Sequence, residues 1–586
     1  MEESPEKSEK ESLFPDDSSS LFPPEVISEP ESPNPEQDYS APPPSRKSRI
    51  IDAVIAAFLF VIAFFSVILT APGDYGLSWD EAYYYKPSRN AAAWLYRSLF
   101  TATTTLSENE IYNSWEEIRE LPAVVKVALG SGILFFEGYI DKLTAMRIPS
   151  AAAYALTLLL LYIFMLEKFG RSAALFTSLG YGMMPRIFGH AHIAASESIT
   201  VLVTLVVVIC FLRGLKNPWW SVVTGIVFGL ALNTRITCYF LPLILLPWAH
   251  IFHRRKYINN FFAMVFLSPI VLVITWPWLW HDPARKILEY LYFFVSHQYT
   301  AVYYFGQKYN YGATLAPWHY PLVMTIFTLP PVVFLMSLPG TALALLRIRK
   351  NPIPVLFLWG AVVMLGVASV PTSPKYDGIR LFIGAFPFIA MLAGAGFSML
   401  LEIFPRRRNI RGAVYWRDVV AAAVILLLVI TAGRSIIISH PYSLSYYNIF
   451  AGGIQGAYKK GMETTYWGEA VNQQVIETLN ELPPNSRIKT LALHEEVFKL
   501  LQRWGKLRRD LEFDTGKPPW DYHLLLVRKG FFSRPEKTLY RMWPRMKVFE
   551  HRSIPLVILF RTGADFEKAW RGAASESEVE NHGSQQ

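Results

Sequence analysis

The sequence is poor in cysteine and in charged residues. Charged residues occupy 18% of its 586 positions, whereas hydrophobic residues occupy 52%. A soluble protein of this length carries more charge, because polar groups must cover its surface, so the composition excludes an ordinary soluble fold. The two cysteines, Cys210 and Cys238, both lie within apolar runs, which indicates buried thiols rather than a disulfide.

The N-terminus lacks the features of a cleavable signal peptide. A basic start, a short apolar stretch and a small-residue cleavage site are all missing there. Instead, residues 1–46 are rich in Glu, Ser and Pro and contain few large apolar side chains. This composition predicts a disordered tail.

Long apolar runs separated by short charged loops make up most of the remaining chain. Each run suits a helix that crosses about 30 Å of hydrocarbon, which takes about 20 residues. The sequence therefore predicts a polytopic α-helical membrane protein with about eleven transmembrane helices. The predicted spans cover residues 51–70, 148–166, 172–188, 198–213, 218–234, 236–252, 260–279, 321–346, 353–370, 380–402 and 417–438.

Basic clusters fall on one side of these predicted spans. They lie at residues 46–49, 168–171, 213–216, 253–256, 347–350 and 406–411. By the positive-inside rule this side is cytoplasmic, so the N-terminus is predicted to lie in the cytoplasm. The net charge of +9 is then a topology signal, and no nucleic-acid partner is predicted.

This topology divides the chain into four parts. After the cytoplasmic tail, a transmembrane domain is predicted at residues 47–439, with long outward loops at 71–146 and 281–317. Strand-like apolar runs at 488–493, 522–527 and 554–560 alternate with helix-like segments after it, which predicts a small extracytoplasmic α/β domain at 440–572. Residues 573–586 form a polar tail.

A pair of adjacent carboxylates follows the first predicted span. Asp80 and Glu81 precede three consecutive tyrosines, of which Tyr84 is the second, and Lys86. One carboxylate is a candidate general base, and the other can orient a substrate or help to hold a divalent cation. The alternative is an interfacial aromatic belt beside a solvated acidic pair.

A second acidic candidate lies in the outward loop at residues 189–197. Glu197 stands at the start of a span, where it either completes an acidic site with Asp80 or interacts with the helix N-terminus. His190 and His192 precede it and are candidate metal ligands, with helix capping or an interfacial position as the alternative.

Cations on the same side are candidates for binding a phosphate group. The segment Lys375–Arg380 places two cations around a short outward turn. Arg235 lies within an apolar stretch, where an arginine is either functional or marks the end of a span. The candidate phosphate-binding or substrate-binding residues are Lys86, Lys126, Arg147, Arg235, Lys375, Tyr376, Arg380 and Tyr84.

A set of short motifs resembles one family of membrane enzymes. A first span followed by Trp79-Asp80-Glu81-Ala82-Tyr83-Tyr84 resembles the GT-C glycosyltransferases of family 39, which include protein O-mannosyltransferases and lipid A aminoarabinose transferases. More specifically, the pattern resembles the bacterial members of this family. Further matching stretches occur in the expected order at residues 184–192, 276–283, 317–321, 376–380, 440–448 and 466–469.

The resemblance implies a GT-C fold and a specific reaction. A sugar on a polyprenyl-phosphate donor would pass, with inversion, to a hydroxyl-bearing protein, lipid or glycan at the extracytoplasmic face of the bacterial inner membrane. Asp80 would be the catalytic carboxylate, with Glu81 beside it and Glu197 where relatives carry a second acid. Lys375 and Arg380 would lie by the carrier phosphate.

The resemblance leaves the cofactor open and shows two departures. A divalent metal ion is the one cofactor to consider, with Asp80, Glu81, His190 and His192 as its candidate ligands. Residues 121–123 lack the basic residue and the second proline that relatives often have. An arginine stands at position 235, where relatives often have a lysine, and the two differ in hydrogen-bond geometry.

The alternative to an enzyme is a multi-pass transporter or flippase for a lipid-linked or small solute. Such a protein would carry charges near the middle of the membrane and pairs of broken helices repeated in its two halves. The sequence has no clear repeat, and its acidic candidates gather at outward span ends. A carrier phosphate is also a stable leaving group, so one carboxylate base and nearby cations suffice for transfer.

Overall fold

The computed structural model of the protein describes residues 46–101, 106–296, 300–310, 314–404, 416–514, 519–562 and 566. The chain divides into two compact units, residues 1–51 and residues 52–586. In the smaller unit the described residues are 46–51, which are helical. The rest of the predicted disordered tail and the polar tail at 573–586 lie outside the described residues.

Helices account for most of the described chain. In chain order, the α-helices α1 to α22 are Arg46–Thr70, Trp79–Phe100, Glu108–Trp115, Ala123–Phe136, Lys142–Phe169, Arg171–Gly182, Pro185–Ala191, Ser196–Gly214, Pro218–Leu232, Leu241–His253, Ile258–Phe262, Ser268–Thr275, Pro283–Ser296, Tyr320–Thr328, Pro331–Leu346, Ile353–Ser369, Phe386–Glu402, Trp416–Ser439, Gly453–Lys459, Gln473–Asn480, Glu495–Arg503 and Arg534–Met542. Short 3₁₀ helices include Ile236–Phe240 and Arg380–Ala385. The strands β1 to β7 are Val302–Tyr304, Gln307–Tyr309, Arg487–Leu491, Glu512–Phe513, Tyr522–Leu526, Lys547–His551 and Ile554–Arg561.

Several of these helices are long and apolar enough to cross a bilayer. By length and composition the described residues contain six such segments, at Lys47–Thr70, Lys142–Phe169, Ser196–Gly214, Ile236–Thr275, Arg380–Glu402 and Trp416–Ser439. The pair α14 and α15 adds a seventh if its two helices, bent by 120°, form one span. The chain is therefore a multi-pass helical membrane protein, as the sequence predicts.

The predicted count of about eleven spans is higher because it includes short or joined helices. Helices α6, α9 and α16 contain only 12, 15 and 17 residues. The 40-residue segment Ile236–Thr275 joins two predicted spans across Arg254, whose φ is +47°. The predicted span at 172–188 also divides, because α6 ends at Gly182 and Pro185 begins a new helix at α7.

Residues 473–562, which we call the C-terminal α/β region, contain a mixed sheet. Among the described residues its five strands lie in the order β4-β3-β5-β7-β6. β3 is parallel to β4 and β5, whereas β7 is antiparallel to β5 and β6. β5 is buried along its whole length, as expected for a central strand covered on both faces. The structure thus confirms a small α/β unit, whereas the predicted boundaries of the domains stay predictions.

Candidate active site

A cavity of about 800 Å³ lies where the first predicted outward loop, the start of α8, the turn before Arg380 and the C-terminal α/β region meet. Its charged lining residues, which we call the polar part, are Asp80, Glu120, Arg235, Asp377, Arg380 and Arg528. A second set of lining residues, which we call the apolar part, is Phe240, Leu291, Phe294, Met364, Val367 and Ala368. The cavity therefore suits a ligand with a charged group and an apolar chain.

A helix cap positions Asp80 in this cavity. The Ser78 hydroxyl accepts a hydrogen bond from the Glu81 amide, and the Glu81 carboxylate accepts one from the Ser78 amide. This reciprocal capping box begins α2 at Trp79 and holds Asp80 in the first helical turn. Asp80, which precedes Glu81 of the capping box, thereby lines the cavity.

Arg380 is the centre of the polar part. Its Nη2 forms an ion pair with Asp80, its Nε lies 2.9 Å from Glu197 Oε1, and its Nη1 lies 2.9 Å from Asp377 Oδ2. The guanidinium also stacks over the Trp467 ring at 4.1 Å. Five donors in a rigid fork allow an arginine to hold several carboxylates at once.

The turn that presents Arg380 depends on unusual backbone angles. Asp377 and Gly378 have φ angles of +59° and +67°. Only glycine adopts this left-handed region without strain, and aspartate tolerates it better than most residues. A Cβ atom at position 378 would also clash with the end of the buried Arg186 side chain, which would have to move.

Glu197, which lies behind the cavity lining, forms an ion pair with Arg235 of the polar part. Arg235 Nη1 binds the Glu197 carboxylate and donates a hydrogen bond to Ser196 Oγ at 3.0 Å. Among the described residues these contacts use only one of the three guanidinium nitrogens of Arg235. Since Arg235 lines the cavity, the other nitrogens remain as donors for an anionic ligand.

The surroundings of the Asp80 carboxyl shift its pKa. Burial raises its pKa above the usual value for aspartate, and the nearby Asp377 and Glu197 carboxylates raise it further, while Arg380 opposes this shift. A pKa closer to neutrality makes a carboxylate a stronger base. Arg380 and the Tyr84 hydroxyl both contact Oδ2, so these two contacts do not use Oδ1.

Two predicted site residues lie outside the cavity and bind each other instead. Glu81 and Arg147 have side chains that are 0% exposed, and Arg147 Nε lies 2.7 Å from Glu81 Oε1. The Glu81 carboxylate also accepts a hydrogen bond from the Ala194 amide, and Arg147 donates to the carbonyls of Tyr75 and Gly76. The pair thereby joins α5 to the first predicted loop, and the predicted site roles of Glu81 and Arg147 stay predictions.

Three predicted phosphate-binding lysines are also engaged elsewhere. Lys86 pairs with Glu117 at 3.0 Å, and Lys126 donates to the carbonyls of Trp115 and Glu117. Lys375 donates to three backbone carbonyls, those of residues 370, 371 and 373, and burial lowers its pKa to about 8. None of the three lines the cavity, whereas the predicted tyrosines Tyr84 and Tyr376 do.

The candidate metal ligands do not come together. His192 lies between the Thr70 hydroxyl and the Phe188 carbonyl, at 2.8 Å from each, and His190 contacts the Trp467 ring edge-on. Within the described parts of the chain, no three His, Cys, Asp or Glu side chains lie close enough together to hold a metal ion. The arrangement therefore does not support the predicted ligand set.

Three cavity residues come from the C-terminal α/β region and were not predicted as site residues. His494 precedes α21, whereas Arg528 and Phe531 follow β5. The one signal in the sequence was an arginine placed directly after a strand-like apolar run, a position that often carries functional side chains. Asp377 lies inside the motif at residues 376–380, but the sequence did not indicate it as a site residue.

The sequence of residues 134–281 matches the family model described as dolichyl-phosphate-mannose-protein mannosyltransferase. The matched stretch includes Arg235 of the polar part and its ion-pair partner Glu197. The chain is a membrane glycosyltransferase related to this family. The match covers a quarter of the glycosyltransferase and bears out the resemblance to GT-C enzymes of family 39. It also favours the enzyme over the transporter alternative.

Solved structures that are similar to this chain include the following two. One is ArnT from Cupriavidus metallidurans bound to undecaprenyl phosphate, with 14% identity, a TM-score of 0.47, and coverage of 89% of this chain and 99% of that chain. Another is the oligosaccharyltransferase AglB from Archaeoglobus fulgidus in complex with an inhibitory peptide and a dolichol-phosphate, with 12% identity and a TM-score of 0.46. That match covers 81% of this glycosyltransferase and 62% of AglB, which is less than two thirds of its length. Among curated proteins, none matches the sequence.

Proposed function

We propose that this glycosyltransferase moves a sugar from a polyprenyl-phosphate carrier to an acceptor hydroxyl at the extracytoplasmic membrane face, with inversion. The observation that carries this proposal is the joining of Asp80, Glu197 and Asp377 on Arg380 in a cavity that also has an apolar lining. The matched family, whose description specifies a dolichyl-phosphate sugar donor, supports it.

Asp80 acts as the general base in this proposal. The acceptor O–H gives its proton to the Asp80 carboxylate as the acceptor oxygen attacks the anomeric carbon of the sugar. The bond between that carbon and the carrier phosphate oxygen breaks, and its electron pair leaves with the phosphate. A single displacement of this kind inverts the anomeric configuration and needs no second carboxylate as nucleophile.

The arginines of the polar part stabilise the departing phosphate. Negative charge grows on the phosphate oxygen as the bond breaks, and preorganised cations in a water-poor site stabilise such charge strongly. Arg235 presents guanidinium nitrogens that its contacts with Ser196 and Glu197 do not use. Arg380 pairs with both Asp80 and Glu197, and Glu197 pairs with Arg235, so Arg380 connects the proposed base to the proposed phosphate-binding arginine.

The apolar part of the cavity accommodates the first isoprene units of the carrier. Leu291 and Phe294 come from the amphipathic helix α13, whereas Met364 and Val367 come from α16. The carrier chain lies in the apolar bilayer before it binds, so this lining offers it an equally apolar environment and imposes little cost on its entry. A water-soluble nucleotide sugar would gain nothing from it.

The test is a transfer assay with the purified protein. It is incubated with a panel of radiolabelled polyprenyl-phosphate sugars and a membrane extract as the source of acceptors, and the labelled product is identified. We expect label to move from one lipid-linked donor to a hydroxyl group, with an inverted anomeric centre. Nucleotide sugars of the same panel serve as the control and should label nothing. Transfer from a nucleotide sugar, or no transfer from any lipid-linked sugar, would contradict the proposal.

A further inference from the structure

Arg528 links the C-terminal α/β region to the polar part of the cavity. It lies two residues after β5, its side chain is 0% exposed, and it lines the cavity together with Phe531. Its guanidinium stacks over the Phe531 ring at 4.1 Å and over the Trp79 ring at 5.3 Å. Trp79 is the residue next to Asp80, so Arg528 packs against the helix that presents the proposed base.

Two buried carboxylates surround the Arg528 guanidinium. Nη2 lies 2.8 Å from Asp377 Oδ1, and Nε lies 3.7 Å from Glu463 Oε1. Nη1 donates a hydrogen bond to the Tyr466 carbonyl at 2.9 Å. Burial raises the pKa of Glu463 to about 7, and Arg528 opposes this shift. Arg528 therefore has one hydrogen bond and two ion-pair contacts, of which the contact with Asp377 is the shorter.

Asp377 connects Arg528 to Arg380. Its Oδ1 faces Arg528, whereas its Oδ2 lies 2.9 Å from Arg380 Nη1. Asp377 competes with Asp80 and Glu197 for the same guanidinium. Charges interact strongly in a buried site, so an Asp377 carboxylate without Arg528 would pull harder on Arg380.

We propose that Arg528 is a positioning residue for sugar transfer. It holds Asp377 and thereby fixes the orientation of Arg380 toward Asp80 and the departing phosphate. This inference depends on the proposed function, and it makes the C-terminal α/β region a part of the catalytic machinery rather than a cover over it. The Arg528 guanidinium acts through Asp377 and does not contact the reacting atoms.

The test compares variants that keep the buried charges balanced. Replacement of Arg528 alone would leave Glu463 buried without its cation, which is strongly destabilising. The double variant Arg528→Met/Glu463→Gln removes both charges and should keep the thermal stability of the wild type. Displacement of a catalytic group by about 1 Å reduces the rate about 100-fold, so we expect kcat to fall between 10-fold and 100-fold. The KM for the lipid-linked donor should stay within about threefold, because Arg528 does not bind the donor in this proposal.

Two further variants complete the test. Arg545→Met removes an exposed arginine that also stacks on an aromatic ring in the same region, and it should have the kcat of the wild type. Arg528→Lys keeps the cation and the fold, but it loses the planar fork, so its kcat should lie between those of the wild type and the double variant.

Three outcomes would overturn the proposal. A wild-type kcat in the folded double variant would show that Arg528 has only a structural role. A raised donor KM with an unchanged kcat would make it a donor-binding residue instead. Arg528→Lys as slow as the double variant would exclude a role for its charge. The wild type is measured first, so absence of any transfer from lipid-linked sugars would refute the proposed function itself.

Discussion

Replacement of Glu81 by glutamine is expected to destabilise the fold, although Glu81 is adjacent to the proposed base. The glutamine side chain has almost the same size, so the substitution removes the charge with little change in packing. Glu81 and Arg147 are both 0% exposed and share two contacts, at 2.7 and 2.9 Å. The substitution therefore leaves the Arg147 cation buried without its carboxylate.

The size of the effect follows from what remains around Arg147. Removal of one partner from a buried ion pair costs about 3–5 kcal/mol. Arg147 keeps its hydrogen bonds to the carbonyls of Tyr75 and Gly76, at 3.0 and 2.7 Å. We therefore expect the lower end of this range, about 3 kcal/mol. The glutamine amide also keeps one acceptor oxygen for the amides of Ser78 or Ala194.

The assay is the apparent Tm of the detergent-purified protein, measured by loss of the monodisperse peak after heating. Unfolding of a large membrane protein is often irreversible, so the variants are ranked at one heating rate. Glu81→Gln should lower the apparent Tm by several degrees, and Glu81→Gln/Arg147→Met should recover most of this loss. A Glu81→Gln variant with wild-type stability but no transfer activity would refute the reasoning, because it would give Glu81 a catalytic role.

Two other predictions concern the cavity. The log of kcat should fall as the pH is lowered through the raised pKa of Asp80, because only the ionised carboxylate accepts a proton; this acid limb should lie at a higher pH than that of an ordinary aspartate. A kcat that stays constant down to about pH 4 would contradict it. Val367→Trp should narrow the apolar part and raise the KM for long-chain donors more than for short-chain analogues, whereas Val362→Trp, at an exposed position of the same helix, should change neither. Equal KM changes for both chain lengths would exclude the apolar part as the carrier site.

The membrane fold was predictable because its signals are local. Apolar runs and basic loops mark spans without any knowledge of tertiary contacts. The strands at β3, β5 and β7 were also visible as apolar runs, whereas β4 and β6 were not. β4 has two residues, and most of β6 is exposed or half-exposed, so neither forms an apolar run.

The contacts of Asp80 and Glu81 could be predicted only in part from the neighbouring residues in the sequence. Ser78 and Glu81 have the spacing of a capping box, which the sequence alone reveals. That spacing favours Glu81 as a structural residue and leaves Asp80 for the cavity. The partner of Glu81 was not predictable, because Arg147 lies 66 positions away and the pairing depends on tertiary packing.

The positions of the cations around the cavity could also be predicted only in part, because they depend on tertiary contacts. Arg235 and Arg380 were predicted to lie near the phosphate, and the structure brings both to the cavity, although their roles stay predictions. Lys375 belongs to the same motif, but its ammonium group is held by backbone carbonyls. Arg528 was not predicted because it reaches Asp377 from a distant part of the chain.

The most direct measurement of the central claim is sugar transfer by the variant Asp80→Asn. Arg380 keeps Glu197 and Asp377 as partners in this variant, so the fold and the apparent Tm should be preserved. Loss of a general base should lower kcat about 100-fold to 10,000-fold. The matched control is Asp74→Asn, in the same predicted loop as Asp80. This substitution removes a half-exposed carboxylate that pairs with His440, and the variant should have the kcat of the wild type. A folded Asp80→Asn variant with a wild-type kcat would contradict the account.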